Sequence, residues 1–176
     1  MSLPNYRCGK VFPAVRVTII GRSVSMFAMS DTPASIFRRP ATVASLEALH
    51  VGTTVKHLGI EFLQVGPDVL IARMPVDART KQPAGILHGG ASVVLAETLG
   101  SVAATLCLPP GQTAVGLDIN ANHIRATREG WVTGECRPVH IGRSTHVWQI
   151  ELRDDAGRLT CTSRITMAIL GQPAPG

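Results

Sequence analysis

GILHGGASVVLAETLGSVAATLC, residues 85–107, joins a pair of glycines to a run that is apolar at nearly every turn of a helix, and it carries one acid. Between His88 and Asp118, Glu97 is the only formally charged side chain. Taking an unpaired carboxylate out of water is expensive, so Glu97 either turns to solvent or sits in a site that uses it. On a helix starting at Gly89 or Gly90, Glu97 shares its face with Gly90, Val93, Val94, Gly100, Ser101 and Ala104, which lie three, four or seven positions away. That face is small and uncharged, so another group can approach it closely. A helix apolar nearly all round is enclosed rather than laid on a surface, and a curved antiparallel sheet of about six strands provides the enclosure.

The flanking sequence supplies those strands. Upstream, TVASLEALHVGT places Val43, Leu46 and Leu49 three apart and stops at Gly52, a short amphipathic helix. GIEFLQVG and DVLIARMPV read as two strands joined through Gly66-Pro67-Asp68, and Arg79–Ala84 is a polar loop feeding His88. Downstream of the Pro109-Pro110-Gly111 stop, four strands follow: TAVGLDINANHIRA, GWVTGECRPVHIG, THVWQIEL and RLTCTSRITMAIL. In the third, His146, Trp148, Ile150 and Leu152 alternate with Val147, Gln149 and Glu151; in the fourth, Leu159, Cys161, Ser163, Ile165, Met167 and Ile169 share a face. The class is α+β. The edge strands of such a sheet can pair across a subunit boundary, so a dimer at least is expected.

The chain has 176 residues, 45% hydrophobic and 16% charged, which suits one domain with a sizeable core. Its formal charge of +5 is not spread evenly. Residues 1–40 carry six Lys/Arg against the single Asp31, and residues 41–176 carry 11 of each sign. With no basic run beyond the leader and little aromatic interleaving, a nucleic-acid surface is not indicated. Residues 1–40 read as a basic leader, 41–171 as the folded domain and 172–176 as a loose tail. Within the leader, Met29 opens MSDTPASIF, so residues 1–28 read as an extension from a misplaced start codon or a disordered arm. Cys8, Cys107, Cys136 and Cys161 form no CxxC pair, which argues for reduced thiols in a cytoplasm over a zinc ribbon or disulfide scaffold. The apolar helix is expected to be too short to cross a bilayer, and its acid weighs against it, so no membrane role is expected. Nothing implies a cofactor. His50, His57, His123, His140 and His146 show no ligand spacing, so no metal is expected either.

Two features together make residues 82–101 a candidate catalytic site. The first amides of a helix lack intrahelical partners and sit at its positive end, and a Gly-Gly start lets a substrate oxygen reach them without a Cβ in the way. In acyl transfer that oxygen is the oxyanion of a tetrahedral intermediate. Two turns on, Glu97 supplies a carboxylate able to act as a base or a nucleophile. His88 is a donor to the oxyanion or a helix cap, Gln82 is a neutral group on the approaching loop, and Ser101 can hydrogen-bond the carboxylate or its water. Val94, Leu99 and Val102 are expected to set the pocket size.

PVDARTKQPAGILHGGASVVLAETLGS, followed by VGLDINANHIR, HIGRSTHVWQIEL and GRLTCTSRITMAIL, resembles the hotdog-fold thioesterases from about Val43 to Leu170. Within them the likeness is to the bacterial group holding 1,4-dihydroxy-2-naphthoyl-CoA thioesterase, of menaquinone biosynthesis, and the enterobactin proofreading thioesterase. The resemblance implies a helix wrapped by an antiparallel sheet, dimers often paired into homotetramers, and active sites shared between subunits. It makes Glu97 the catalytic carboxylate, Gly89 the oxyanion amide, and Gln82, His88 and Ser101 supporting groups. It places His123, Arg125, Arg143 and Ser144 at the nucleotide end of CoA, although the order here is Arg143-Ser144 where the resembling proteins have Ser-Arg. The implied substrate is an aryl- or acyl-CoA. An aryl or acyl group on a carrier protein and an idle acyl-CoA-binding module are the alternatives.

Overall fold

The computed structural model describes residues 15–19, 22–26 and 34–171, so much of the leader and the tail at 172–176 lie outside the described residues. Two compact units are present, Met1–Pro33 and Ala34–Gly176. The first contains an antiparallel pair, β1 (Val15–Ile19) and β2 (Arg22–Met26), in a stretch whose sequence shows no clear alternation.

The second unit runs α1 (Val43–Leu49), α2 (Thr54–His57), β3 (Glu61–Val65), β4 (Leu70–Pro75), α3 (Gly89–Leu106), β5 (Thr113–His123), β6 (Trp131–Ile141), β7 (Thr145–Asp154) and β8 (Leu159–Leu170). The expected order of one short helix, two strands, one long helix and four strands is present, with α2 added. Thr42 starts α1 through a reciprocal cap: its hydroxyl accepts from the Ser45 amide at 3.1 Å, and the Ser45 hydroxyl accepts from the Thr42 amide at 2.9 Å. Glu47 on α1 then ties three elements together, accepting from the Phe62 amide of β3 at 2.7 Å and from Lys56 of α2 at 2.6 Å. Burial works to raise the Glu47 pKa, but the Lys56 ammonium and the Phe62 amide outweigh it and hold the carboxyl below its ordinary value.

The six strands form one antiparallel sheet in the order β3-β4-β6-β7-β8-β5. The period-2 patterns of β7 and β8 translate into burial as expected, with Trp148, Ile150, Leu152, Cys161, Ile165 and Met167 all enclosed. Against them lies one side of α3, led by the fully buried Leu95, Ala96, Leu99 and Ala103. Each large apolar side chain enclosed this way contributes about 1.5–3 kcal/mol. Helix and sheet approach closely at Gly100, where a Cβ would run into the Ile165 side chain. A residue larger than glycine there would push α3 off the sheet.

With 18 residues, α3 reaches the length and apolarity of a membrane span, longer than the sequence reading allowed. Half of it is buried inside the fold, the burial of a core helix. The sheet covers one side only; Val93, Val94, Ser101 and Val102 are half-buried and Glu97 is exposed. The C-terminus of α3 is clamped from residues ahead of α1. The Arg39 guanidinium donates to the carbonyls of Leu108, Pro109 and Gln112 at 3.0, 2.9 and 2.6 Å, and the Arg38 and Arg39 amides reach the Leu106 carbonyl. The Leu106 carbonyl, one of those a helix end leaves free, is satisfied by these two amides. Residues 34–40 thus pack with the sheet-and-helix unit.

Candidate active site

The loop from Val76 to His88 is a rigid platform. The Thr80 hydroxyl, buried, donates to the Pro75 carbonyl at 2.7 Å, and the His88 amide donates to the Thr80 carbonyl at 2.8 Å. Asp77 accepts from the Arg79 side chain and amide, bonds that hold its carboxyl below the ordinary aspartate value. Gln82 sits in a tight turn, its amide donating to the Ile86 carbonyl and its carbonyl accepting from the Gly85 amide, both at 2.9 Å. That turn delivers the Gln82 side chain to the N-terminus of α3.

At that N-terminus the free amides are distributed unequally. His88 Nδ1 accepts from the Gly90 amide at 2.8 Å, and the His88 carbonyl accepts from the Ala91 and Ser92 amides. Among the described residues the Gly89 amide has no acceptor. Because Nδ1 accepts, Nε2 of His88 carries the proton and is a donor. Gly89 is required by its neighbour: a Cβ there would lie 2.8 Å from His123 Nε2, so the imidazole closing β5 rests on the helix start. A cavity of about 310 Å³ opens at this point, lined by Gln82, Gly89, Ser92, His123, Arg125 and Thr127.

Glu97 stands two turns further on, roughly 12 Å along the axis at 1.5 Å per residue, and faces a different cavity of about 290 Å³. Its Oε1 lies against Gly116, 3.4 Å from where a Cβ would be, at the point where β5 bulges. Ser101, Val94 and Val102 of α3 share this cavity with Val55 and His50. Leu99 does not, being fully buried under the sheet. Ser101 makes a long contact with Met167 Sδ at 3.9 Å, and Glu97 has no hydrogen-bond or ion-pair partner among the described residues.

Arg143 lines a third cavity, of about 540 Å³, in the turn between β6 and β7, together with Arg38, Gln112 and the buried His146. The Ser144 carbonyl accepts from the Ile169 amide. The register of β5 on β8, Thr113 against Leu170 and His123 against Cys161, puts Arg143 and His123 at opposite ends of β5. One chain therefore brings Gln82, His88, Gly89, His123 and Arg125 together, and Glu97 with Ser101, but not the two groups with each other. Arg125 and Arg143 carry no ion pair among the described residues, whereas Arg73, Arg79, Arg137, Arg153 and Arg158 each hold a carboxylate.

Residues 84–161, covering the helix and most of the sheet, match the Thioesterase superfamily. The 1,4-dihydroxy-2-naphthoyl-CoA hydrolase of Escherichia coli K12 is 56% identical over 135 residues, 77% of this chain and 99% of that protein. The chain belongs to the hotdog-fold thioesterases. A proofreading thioesterase, EntH, of Cronobacter turicensis is 52% identical over 136 residues, again 77% of this chain and 99% of its own. The crystal structure of a thioesterase from Haemophilus influenzae superposes with a TM-score of 0.76 at 48% identity, covering 77% of this chain and 95% of that one. The protein is a thioester hydrolase, and its fold is the α+β hotdog expected from the sequence.

In this thioesterase His50 has no signal in the sequence beyond the absence of metal-ligand spacing, yet it lines the Glu97 cavity. Only the chain path brings the end of α1 over the Glu97 face of α3. Val94 and Val102, named as pocket residues, do line that cavity.

Proposed function

We propose that the protein hydrolyses compact aryl- or acyl-CoA thioesters to the free acid and CoA, at sites completed by a second copy of the chain. The observation that carries this reading is the division just described. The exposed Glu97 and the acceptor-free Gly89 amide belong to one reaction but open into separate cavities of the same chain. β5 is an 11-residue edge strand bonded on one side only among the described residues, with Val115 and Leu117 exposed. An edge of this kind pairs readily with its own copy. Antiparallel pairing of two β5 strands sets the Thr113 end of one beside the His123 end of the other. Glu97, which stands over Gly116, then comes alongside Gly89, His88 and Gln82 of the partner subunit.

In such a site the thioester oxygen lies at the partner's Gly89 amide, with His88 Nε2–H and the Gln82 amide as further donors. Losing one donor of this kind costs about 2.7–4 kcal/mol of transition-state stabilisation. Glu97 as general base takes a proton from water as its oxygen bonds to the carbonyl carbon. Collapse of the oxyanion breaks the C–S bond, and the proton passes to the departing thiolate. Glu97 as nucleophile instead attacks the carbonyl carbon and expels the CoA thiolate, which takes up a proton, leaving a mixed anhydride; water then opens the anhydride to the free acid and restores the Glu97 carboxylate. Ser101 orients the carboxylate or its water. Arg143 of one chain and Arg125 and His123 of the other converge on the same end, where unpaired guanidinium groups suit the phosphates of CoA.

The similarity to the Escherichia coli hydrolase supports a dihydroxynaphthoyl-CoA-like substrate, and the relative named a proofreading thioesterase supports a second reading, an aryl group delivered on a carrier protein. Free-thiol release from dihydroxynaphthoyl-, benzoyl- and straight-chain acyl-CoA, measured beside carrier-bound aryl thioesters, separates them. The expected result is strongest turnover of an aryl-CoA, reduced by about 10²-fold or more in Glu97→Ala with an unchanged melting temperature. Turnover of carrier-bound thioesters alone, or equal activity in the variant, overturns the proposal.

A further inference from the structure

His50 is held more firmly than a surface histidine requires. It closes α1, and its Nδ1 lies 2.7 Å from the carbonyl of Leu46 in the same helix, one of the carbonyls a helix end leaves free. A carbonyl only accepts, so Nδ1 carries the hydrogen. The ring is packed against Phe62 of β3, centroids 5.2 Å apart, and both Phe62 and Leu46 are buried. In a neutral imidazole with its proton on Nδ1, Nε2 is an acceptor. Among the described residues it has no donor.

The His50 ring lines the cavity that holds Glu97 and Ser101, together with Val55, Val94 and Val102. An acyl group whose carbonyl carbon stands at Glu97 extends across valine side chains and meets an imidazole. At about 290 Å³ the part of the cavity lined by one chain has room for a single aromatic ring. A purely hydrocarbon group seated there strips water from Nε2 and gives nothing back, whereas a hydroxyl pairs with it. Sites built to pair with a substrate hydroxyl discriminate strongly against the analogue without it.

We propose that His50 is a specificity-determining residue, its Nε2 accepting a hydrogen bond from a hydroxyl on a compact aromatic acyl group in the Glu97 cavity. The inference rests on the reading that this cavity receives the acyl part of a CoA thioester. It assigns the substrate a phenolic ring and leaves the chemistry of hydrolysis to the groups already described.

The test is kcat/KM for 3-hydroxybenzoyl-, 4-hydroxybenzoyl- and benzoyl-CoA with wild type, His50→Leu and His50→Gln, each checked for folding by thermal melting. Wild type is expected to favour at least one hydroxybenzoyl ester over benzoyl by about tenfold or more. His50→Leu brings that ratio to within about twofold of unity, and His50→Gln, whose amide oxygen also accepts, restores part of the preference. A cap of α1 with no role in recognition would change stability but not this ratio. A wild-type ratio near one, a ratio unmoved in His50→Leu, or no preference restored in His50→Gln overturns the assignment while the CoA thioesterase reading stands. Failure of wild type to cleave any of the three esters defeats that reading, and the assignment with it.

Discussion

Glu97 was legible in the sequence because it is alone: one carboxylate in an apolar run has few places to go. Its exposure in the single chain was not legible, since the surface that would cover it is not contributed by α3 or its own sheet. The Gly89 amide was readable from the Gly-Gly start, and the structure adds the reason for the first glycine, the imidazole of His123 resting on it. His146 behaves differently from these site residues. It is fully buried on β7 beside Trp148, with Nδ1 unpartnered among the described residues. Burial holds its pKa below the ordinary histidine value of 6.5, helped by the nearby His140 and partly offset by the Gly142 backbone. A folded-state pKa lowered in this way contributes stability that is fully present above about pH 6.5 and is lost as pH falls through the folded value. Thermal melting from pH 8 to pH 5 should therefore show wild type weakening below pH 6.5, and His146→Phe should show a shallower decline. Identical slopes in the two proteins contradict this account of His146.

At the scale of elements, periodicity was most readable where one face is fully enclosed. The alternation of β7 survives into burial residue by residue, and that of β8 does so from Cys161 to Met167, because α3 packs on that face. The single turn of α2 escaped because four residues carry no period, and the bulge in β5 between Gly116 and Asp118 escaped because exposed residues flank it on both sides. The contact of α3 with the sheet depends on Gly100 standing on Ile165. Gly100→Val forces either the helix or Ile165 to move, at about 1–3 kcal/mol. Urea denaturation should show a lower midpoint with an unchanged slope, and the same midpoint as wild type would show that the sheet yields without cost.

For the whole molecule, the formal charge of +5 misleads until it is located, because residues 41–176 carry equal numbers of each sign. The sequence offers an edge strand free to pair; the structure adds its length, its exposed Leu117, and two cavities, one at Glu97 and one at Gly89, that stand apart in one chain. Long-range pairing of this kind leaves little local trace, since each strand end looks like any other until the register is known. The central claim is that Glu97 of one subunit works with Gln82, His88 and Gly89 of its partner. The measurement that reaches it most directly is subunit mixing, in which Glu97→Ala and Gln82→Ala proteins, each weakly active, are unfolded together, refolded at equal amounts and assayed for thiol release. Shared sites predict recovery to about one quarter of wild-type activity, because half of the randomly formed dimers are hybrids and each hybrid holds one intact site of two. A mixture whose hybrids form but whose activity stays at the level of the separate variants would place the whole site within one chain and contradict the account.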